Sequence, residues 1–379
     1  MQPAARNSTA GVALTATQVT SLIRDTNALK VSTGLELLDV TLTVLADLTD
    51  WFDGVNSTVE RDSYATLHGT ANLVVSQDLD WGTAILRPYM ILSDFTTSVR
   101  FNLGAYLASS PQAVIGNVPS THAVDGFDIL HWLNTPVGEA YTVQAGSSYL
   151  GAVEAIMLAQ GIVAYQIDQT RWDAVLPASR VWVLNSQTTW LMIINDLLQA
   201  VGYRGIYSDW DGVLRLEPYL NPGDRPSEWV YDAEPSTSML GDRMATNDFF
   251  NAPNRWVFFT SPNPDGVQPV EGAGVYTFVN DRMGPTSVAA RHRTITAVPL
   301  QVDAVDQAAL VALASAAIDA DLRLMTTYQV ATAPNPLHWH FDRVAVNDPL
   351  LGPLSDILVT KWTLPLSGGN MSQEWSLLS

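Results

Sequence analysis

The stretch 186-SQTTWLMIINDLLQAVGYRGIYSDWDGVLRLEPYLNPGDRPSEWVYD-232 reads as a helix, a stop and a hairpin in immediate succession. Trp190, Ile193, Ile194, Leu197 and Val201 recur at helical spacing and make one apolar stripe. Gly202 follows where a helix commonly ends in a left-handed residue. Asp211-Gly212 then separates two strand-like runs, the strongest short-range hairpin signal. A helix closing onto a hairpin predicts a small α+β unit, and the flanking sequence shows how far it extends.

Upstream, 146-GSSYLGAVEAIMLAQG-161 repeats the helical pattern. Leu150, Val153 and Met157 share a face, Ser147 or Ser148 supplies a cap and Gly161 a stop. Residues 121–235 are therefore expected to form an α+β middle domain. Before it, 35–45, 64–76, 83–94 and 98–109 read as strands, with Asp53-Gly54 suited to a turn. Turn signals at a spacing of about ten residues suggest a barrel or sandwich. This predicts a first β domain over 20–120, preceded by a small, polar N-terminal arm over 1–19. Beyond the middle, 254–261, 274–281 and 292–301 read as strands. The longest helix is expected over 303–329, with Val311, Ala314, Ile318, Leu322 and Met325 as its buried stripe. Strands at 337–347, 356–366 and 371–378 complete a second β domain over 236–379. The expected fold class is mainly β with α+β, two β domains flanking a small α+β domain.

With 379 residues the chain suits two or three domains, and 47% apolar residues are enough to form their cores. There is no run of about 18 apolar residues, so no membrane span is expected. The N-terminus has no compact apolar segment, so no signal peptide is expected either. The absence of cysteine excludes disulfides, thiolate metal sites and cysteine nucleophiles. A formal net charge of −19, with Lys30 and Lys361 the only lysines, argues against binding nucleic acid through its phosphates. An acidic surface repels DNA, which matters wherever DNA must pass without sticking.

Several motifs that could carry chemistry also have structural uses. In 337-LHWHFDRVAVNDPLLG-352, His338, His340 and Asp342 alternate as one face of a strand would and resemble a metal-ligand set. Trp339 and Phe341 fill the alternate face, so an ordinary strand accounts for the pattern. Asp125, Asp128 and His131 lie three apart, one face of a helical turn, and are read as capping and surface residues. Asp209-x-Asp211-Gly212 begins like a calcium loop, but Leu220 stands where the closing glutamate belongs. No nucleophile elbow, zinc-protease helix or P-loop is found. No catalytic, metal or cofactor residues are assigned. The 12 tryptophans would suit a sugar groove, yet Trp190, Trp256 and Trp339 fall within helix or strand patterns, where packing is the expected use.

The order of these pieces is suggestive. The stretch 186–232, with its "LL-x-x-x-GY" helix end, its "D-G-x-L" hairpin and its Trp-Val-Tyr, resembles the tail-tip or baseplate hub proteins of long-tailed bacteriophages. Two further stretches fit: 124–161, and 250-FNAPNRWVFF-259 followed by the Ala-rich helix and 342-DRVAVNDPLLG-352. Together they cover most of the chain beyond residue 120. The resemblance, carried by minor tail proteins and by the hubs of contractile tails, implies two tube-like β-barrel domains per chain and a homotrimer. Such a ring would continue a six-fold tail tube into a three-fold tip and line a DNA exit channel. It implies a structural protein, not an enzyme, in the virion tail tip, assembled in the host cytoplasm. The partners it implies are a tail tube or distal tail protein, a tape-measure protein, and a central fibre or tip protein. DNA would pass through without specific binding. In this reading His338 and His340 are strand residues of the second tube-like domain. Two rival readings are a β-rich carbohydrate-active enzyme or sugar-binding module, and a hexameric distal tail protein, which would need only one tube-like domain.

Overall fold

The computed structural model describes residues 14–24, 29–94, 97–114, 121–183, 188–232, 239–247, 249, 252–260, 268–281, 284–323, 326–348 and 351–377. Among them 23 strands stand against five α-helices, so the chain is mainly β, with α+β character in its middle.

One sheet of 14 strands organises the molecule. Its path starts at Met239–Asn247 and runs through Thr326–Thr332, Met371–Leu377 and Gly352–Pro365. It then crosses to Thr58–Asp62, Gly69–Val75, Thr121–Asp128 and Tyr106–Val114, and ends through Ile85–Ser93 and Lys30–Leu38 at Val44–Asp47. The C-terminal and N-terminal β regions join where Gly352–Pro365 pairs antiparallel with Thr58–Asp62, from Lys361↔Asp62 to Pro365↔Thr58. Each region has a long strand that changes partner along its length. Ile85–Ser93 pairs with Ser98–Asn102 over one half and with Tyr106–Val114 at its start. Gly352–Pro365 pairs first with Arg343–Asp348 and then with Thr58–Asp62. Among the described pairings the path is open, with two branches.

Period-2 patterning builds the core. Val59, Ala71, Leu73 and Val75 point inward from Thr58–Asp62 and Gly69–Val75, and the intervening residues face solvent. They meet Leu35, Met90 and Phe101 from the N-terminal side and Tyr231, Trp362 and Trp375 from the C-terminal side in a single cluster. Each fully buried large side chain contributes about 1.5–3 kcal/mol. The helix Ala16–Arg24 adds Val19, Leu22 and Ile23 to the same core.

A second core holds the middle of the chain. Ser148 caps Tyr149–Ala159, its Oγ accepting from Gly151 N at 3.2 Å. Thr189 caps Trp190–Ala200 by accepting from Met192 N at 3.2 Å. Gly161 and Gly202 end these helices at φ 76° and 77°. Leu150, Val153, Met157, Ile193, Ile194 and Leu197 interlock between them. The predicted hairpin is present as Tyr207–Ser208 against Leu214–Leu216, turned by Gly212 at φ 88°. A third core packs Trp256 and Phe258 of Arg255–Thr260 against Leu310, Ala314 and Ile318 of the helix Gln307–Arg323.

Several expected elements are divided in the structure. Residues 35–45 are a hairpin, Lys30–Leu38 and Val44–Asp47, because Asp39 Oδ1 accepts from Thr41 N at 2.8 Å and Thr43 N at 2.9 Å and closes a turn. The expected strand 98–109 is two strands broken at Gly104, φ 100°. The expected strand 64–76 begins only at Gly69. Residues 124–134 are strand to Asp128 and then a 3-10 turn, Ile129–Trp132. His292 adopts a left-handed conformation, leaving only Leu300–Val302 of the expected strand 292–301. The expected helix 303–329 is Gln307–Arg323 followed by the strand Thr326–Thr332, and Met325 lies outside the described residues. Finally, the strand expected over 337–347 starts at Arg343.

Candidate functional site

Residues 337–342 form a buried loop, with Phe341 at φ 52°. The turn defeats the alternation that a strand would impose and sends the histidines in different directions. His338 Nδ1 stands 3.0 Å from Asp342 Oδ2, and its Nε2 is 2.5 Å from the Tyr231 hydroxyl. Tyr231 also accepts from Gln373 Nε2 at 2.8 Å, and Trp375 Nε1 donates to Gln373 Oε1 at 2.7 Å. The pattern is satisfied with the proton on His338 Nδ1 and Nε2 accepting from the tyrosine. Asp–His–Tyr is a proton-relay sequence, yet here both the histidine and aspartate side chains are no more than 1% exposed. Burial pushes the Tyr231 hydroxyl above its ordinary value. The network ties the strands Trp229–Asp232 and Met371–Leu377 to the loop and is closed off from the surface.

His340 belongs to a different cluster, at the meeting point of the first β region, the middle hairpin and the loop. Its ring stacks on Tyr207, with centroids 4.7 Å apart at 11°, and lies 4.7 Å from His68. Alongside, Arg61 donates to Ser208 O at 2.9 Å and sits 4.3 Å over the Trp339 ring. Trp339 Nε1 donates to the same carbonyl at 2.8 Å. Asp128 Oδ2 accepts from Gly69 N at 2.8 Å and from Ser208 Oγ at 3.4 Å. Burial, reinforced by the Arg61 and Arg204 charges, lowers His68 to about 3. Burial and the same surroundings, His68 included, hold His340 well below its usual value. Both rings are therefore neutral. Burial raises Asp128 to about 6, with Arg61 opposing it. The junction acts as a desolvated polar rivet between three parts of the chain.

The other candidate residues are placed as follows. Asp125 is exposed and accepts from Asn72 Nδ2 at 3.1 Å; Asp128 is buried; His131 stacks on Phe127 at 5.5 Å. They share no face. Asp209 Oδ1 accepts from Asp211 N and Val213 N at 3.0 Å, and Arg215 Nε donates to Oδ2 at 2.7 Å, so this motif builds the hairpin turn. Among the described residues no group of three or more His, Asp or Glu is placed to hold a metal ion. Trp182, Trp229, Trp256, Trp339, Trp362 and Trp375 are buried, consistent with packing as their use. No described helix is long and apolar enough to cross a membrane. Sequence reading missed Arg61, His68, Tyr207 and Tyr231. One signal was available: Arg61 shares strand parity with Val59 and so faces the core.

The ends of the large sheet are exposed strands. All four residues of Val44–Asp47 are exposed, with Leu45 at 62%, and beyond Lys30–Leu38 this strand has no partner among the described residues. At the other end Met239–Asn247 pairs with Thr326–Thr332 and with no other strand among the described residues, and Met244 is exposed. Open edges carrying apolar side chains are templates for pairing with another chain.

No family model matches this sequence, and no curated protein matches it. Solved structures do match. A tail protein from Neisseria meningitidis superposes with TM-score 0.61 at 13% identity, over 92% of this chain and 96% of that one. The 43 kDa tail protein of prophage MuSo2 from Shewanella oneidensis gives 0.59 at 9%, over 91% and 98%. The prophage tail protein gp18 from Listeria monocytogenes gives 0.53 at 11%, over 90% and 94%. At these identities the likeness is one of fold, and it spans nearly the whole of each chain.

Proposed function

We propose that this chain is a structural component of a phage tail, the hub of the tail tip. Three copies form a ring that continues the tail tube, adapts six-fold to three-fold symmetry and surrounds the DNA exit channel. The observation that carries the reading is the fusion of two β regions into one sheet through Thr58–Asp62 and residues 361–365, with both ends of the sheet open among the described residues. A chain with two β regions supplies two ring units, so three chains supply six. The corresponding tube-like, α+β and tube-like units are proposed as 20–120, 121–235 and 236–379, with Thr121–Asp128 and Trp229–Asp232 crossing those boundaries into the large sheet. The full-length likeness in fold to proteins described as tail proteins supports this reading. A tail tube or distal tail protein would sit above the ring, a central fibre or tip protein below, and the tape-measure protein within. The role is structural, with no catalytic step.

The open edge gives a direct test. Val44→Lys with Leu45→Lys places two charges on an exposed edge that contributes nothing to the core. The expected result is loss of self-association with an unchanged unfolding midpoint. Undiminished self-association would count against this edge and the ring built through it.

A further inference from the structure

Opposite the core, the central strands of the large sheet present a second face. Cross-strand register arranges it in rows. One row runs Phe127, Thr70, Glu60, Thr363 and Ser372, each directly opposite the next. A second runs Asp62, Lys361, Glu374 and Gln329. These positions alternate with buried Val59, Ala71, Trp362, Gln373 and Trp375, so they cannot turn inward without a register slip. The face is hollowed: depressions of about 490 Å³ and about 260 Å³ lie over its two halves.

Its chemistry is specific. Apart from Phe127 at one end, the side chains are hydroxyls, amides and carboxylates, with a single lysine in the two rows. Lys361 Nζ is 2.8 Å from Glu60 Oε1 and 3.9 Å from Asp62 Oδ2, and Glu374 lies opposite it on the next strand. At the rim Arg243 is held by Asp348 at 2.6 Å. Phosphate capture requires uncommitted lysine and arginine, and each of these cations is already paired.

We infer that this hollow face is the wall of the channel, and that Glu60 and Asp62 mask Lys361 so that duplex DNA passes without being held. The inference rests on the ring reading and adds which side of the sheet faces inward and which residues keep it non-adhesive.

Because the chain has no cysteine, single thiols can be introduced cleanly. Thr70→Cys and Ser372→Cys sit on the hollow face, and Val298→Cys sits at an exposed site outside the large sheet. Each full-length variant is assembled and treated with a small maleimide or with a polyethylene-glycol maleimide too bulky for a DNA-wide channel. The expected result is that all three thiols react with the small reagent and only Val298→Cys reacts with the bulky one. Rings in which Thr70→Cys and Ser372→Cys react freely with the bulky reagent would overturn the wall assignment while leaving the ring intact. Failure of the unsubstituted chain to form rings would overturn the ring and the wall with it. In the rings, Glu60→Gln with Asp62→Asn should produce salt-sensitive retention of duplex DNA that Lys361→Met removes. Unchanged DNA passage in the unmasked variant would overturn the masking role.

Discussion

The Arg61 guanidinium lies 4.3 Å over the Trp339 ring, and both side chains donate to one acceptor, the Ser208 carbonyl. Residues distant in sequence, from three parts of the chain, thus converge on one buried point. Arg61→Ala removes the cation facing Asp128 and one donor to Ser208, leaving buried polar atoms uncompensated. A loss of about 3 kcal/mol is expected in denaturant unfolding. Arg61→Lys should recover little, since an ammonium lacks the planar stack. A fully stable Arg61→Ala protein would contradict the rivet.

The same junction makes the fold sensitive to acid. His68 drops from 6.5 to about 3 on folding. Its stabilising contribution is complete above pH 6.5 and is lost as pH falls toward 3, because the unfolded chain takes up a proton that the folded one refuses. Each pH unit in that window costs about 1.4 kcal/mol per histidine. His340 shifts in the same direction. Asp128, raised from 3.8 to about 6, works the other way and gains stability as pH falls through that interval. Two histidines outweigh one aspartate, so the melting temperature should fall between pH 7 and pH 5. His340→Phe keeps a ring on Tyr207 and should flatten the slope; a pH-independent melt in the wild type would refute this account.

Tyr231→Phe isolates the closed network around His338. It removes the hydroxyl shared by His338 and Gln373 while retaining the ring packed 5.2 Å from Trp375. The expected loss is about 1–3 kcal/mol with no change in secondary structure by circular dichroism.

Gly212 and Gly138 separate crowding from backbone strain. Both have positive φ, 88° and 78°. A Cβ at Gly212 would lie 2.5 Å from that of Ala105, whereas at Gly138 it would meet nothing within 4 Å. Gly138→Ala should cost about 1 kcal/mol from the left-handed backbone alone. Gly212→Ala should cost clearly more, because it pries the hairpin from the first β region. Equal midpoints for the two variants would count against that contact.

Much of the local structure was legible in the sequence. Ser148, Gly161 and Gly202 punctuate the helices, and Asp211-Gly212 turns the hairpin, because capping and positive φ depend on neighbouring residues. The loop 337–342 was misread because alternating aromatic and polar residues imitate a strand, and only its packing against Tyr207 and Tyr231 reveals the turn. The junction was hidden for a related reason. Arg61, Ser208 and Trp339 are far apart in the chain, and no local pattern announces a partner at that range. The pairing of Thr58–Asp62 with residues 361–365 is hidden in the same way.

The proposed assembly is a three-fold ring built from continuous sheets. Light scattering on the purified chain, with negative-stain images of the same peak, tests it most directly. The expected result is three times the 41.2 kDa chain mass and a three-fold ring with a central opening. A six-fold ring, or a monomer that persists at every concentration, would contradict it.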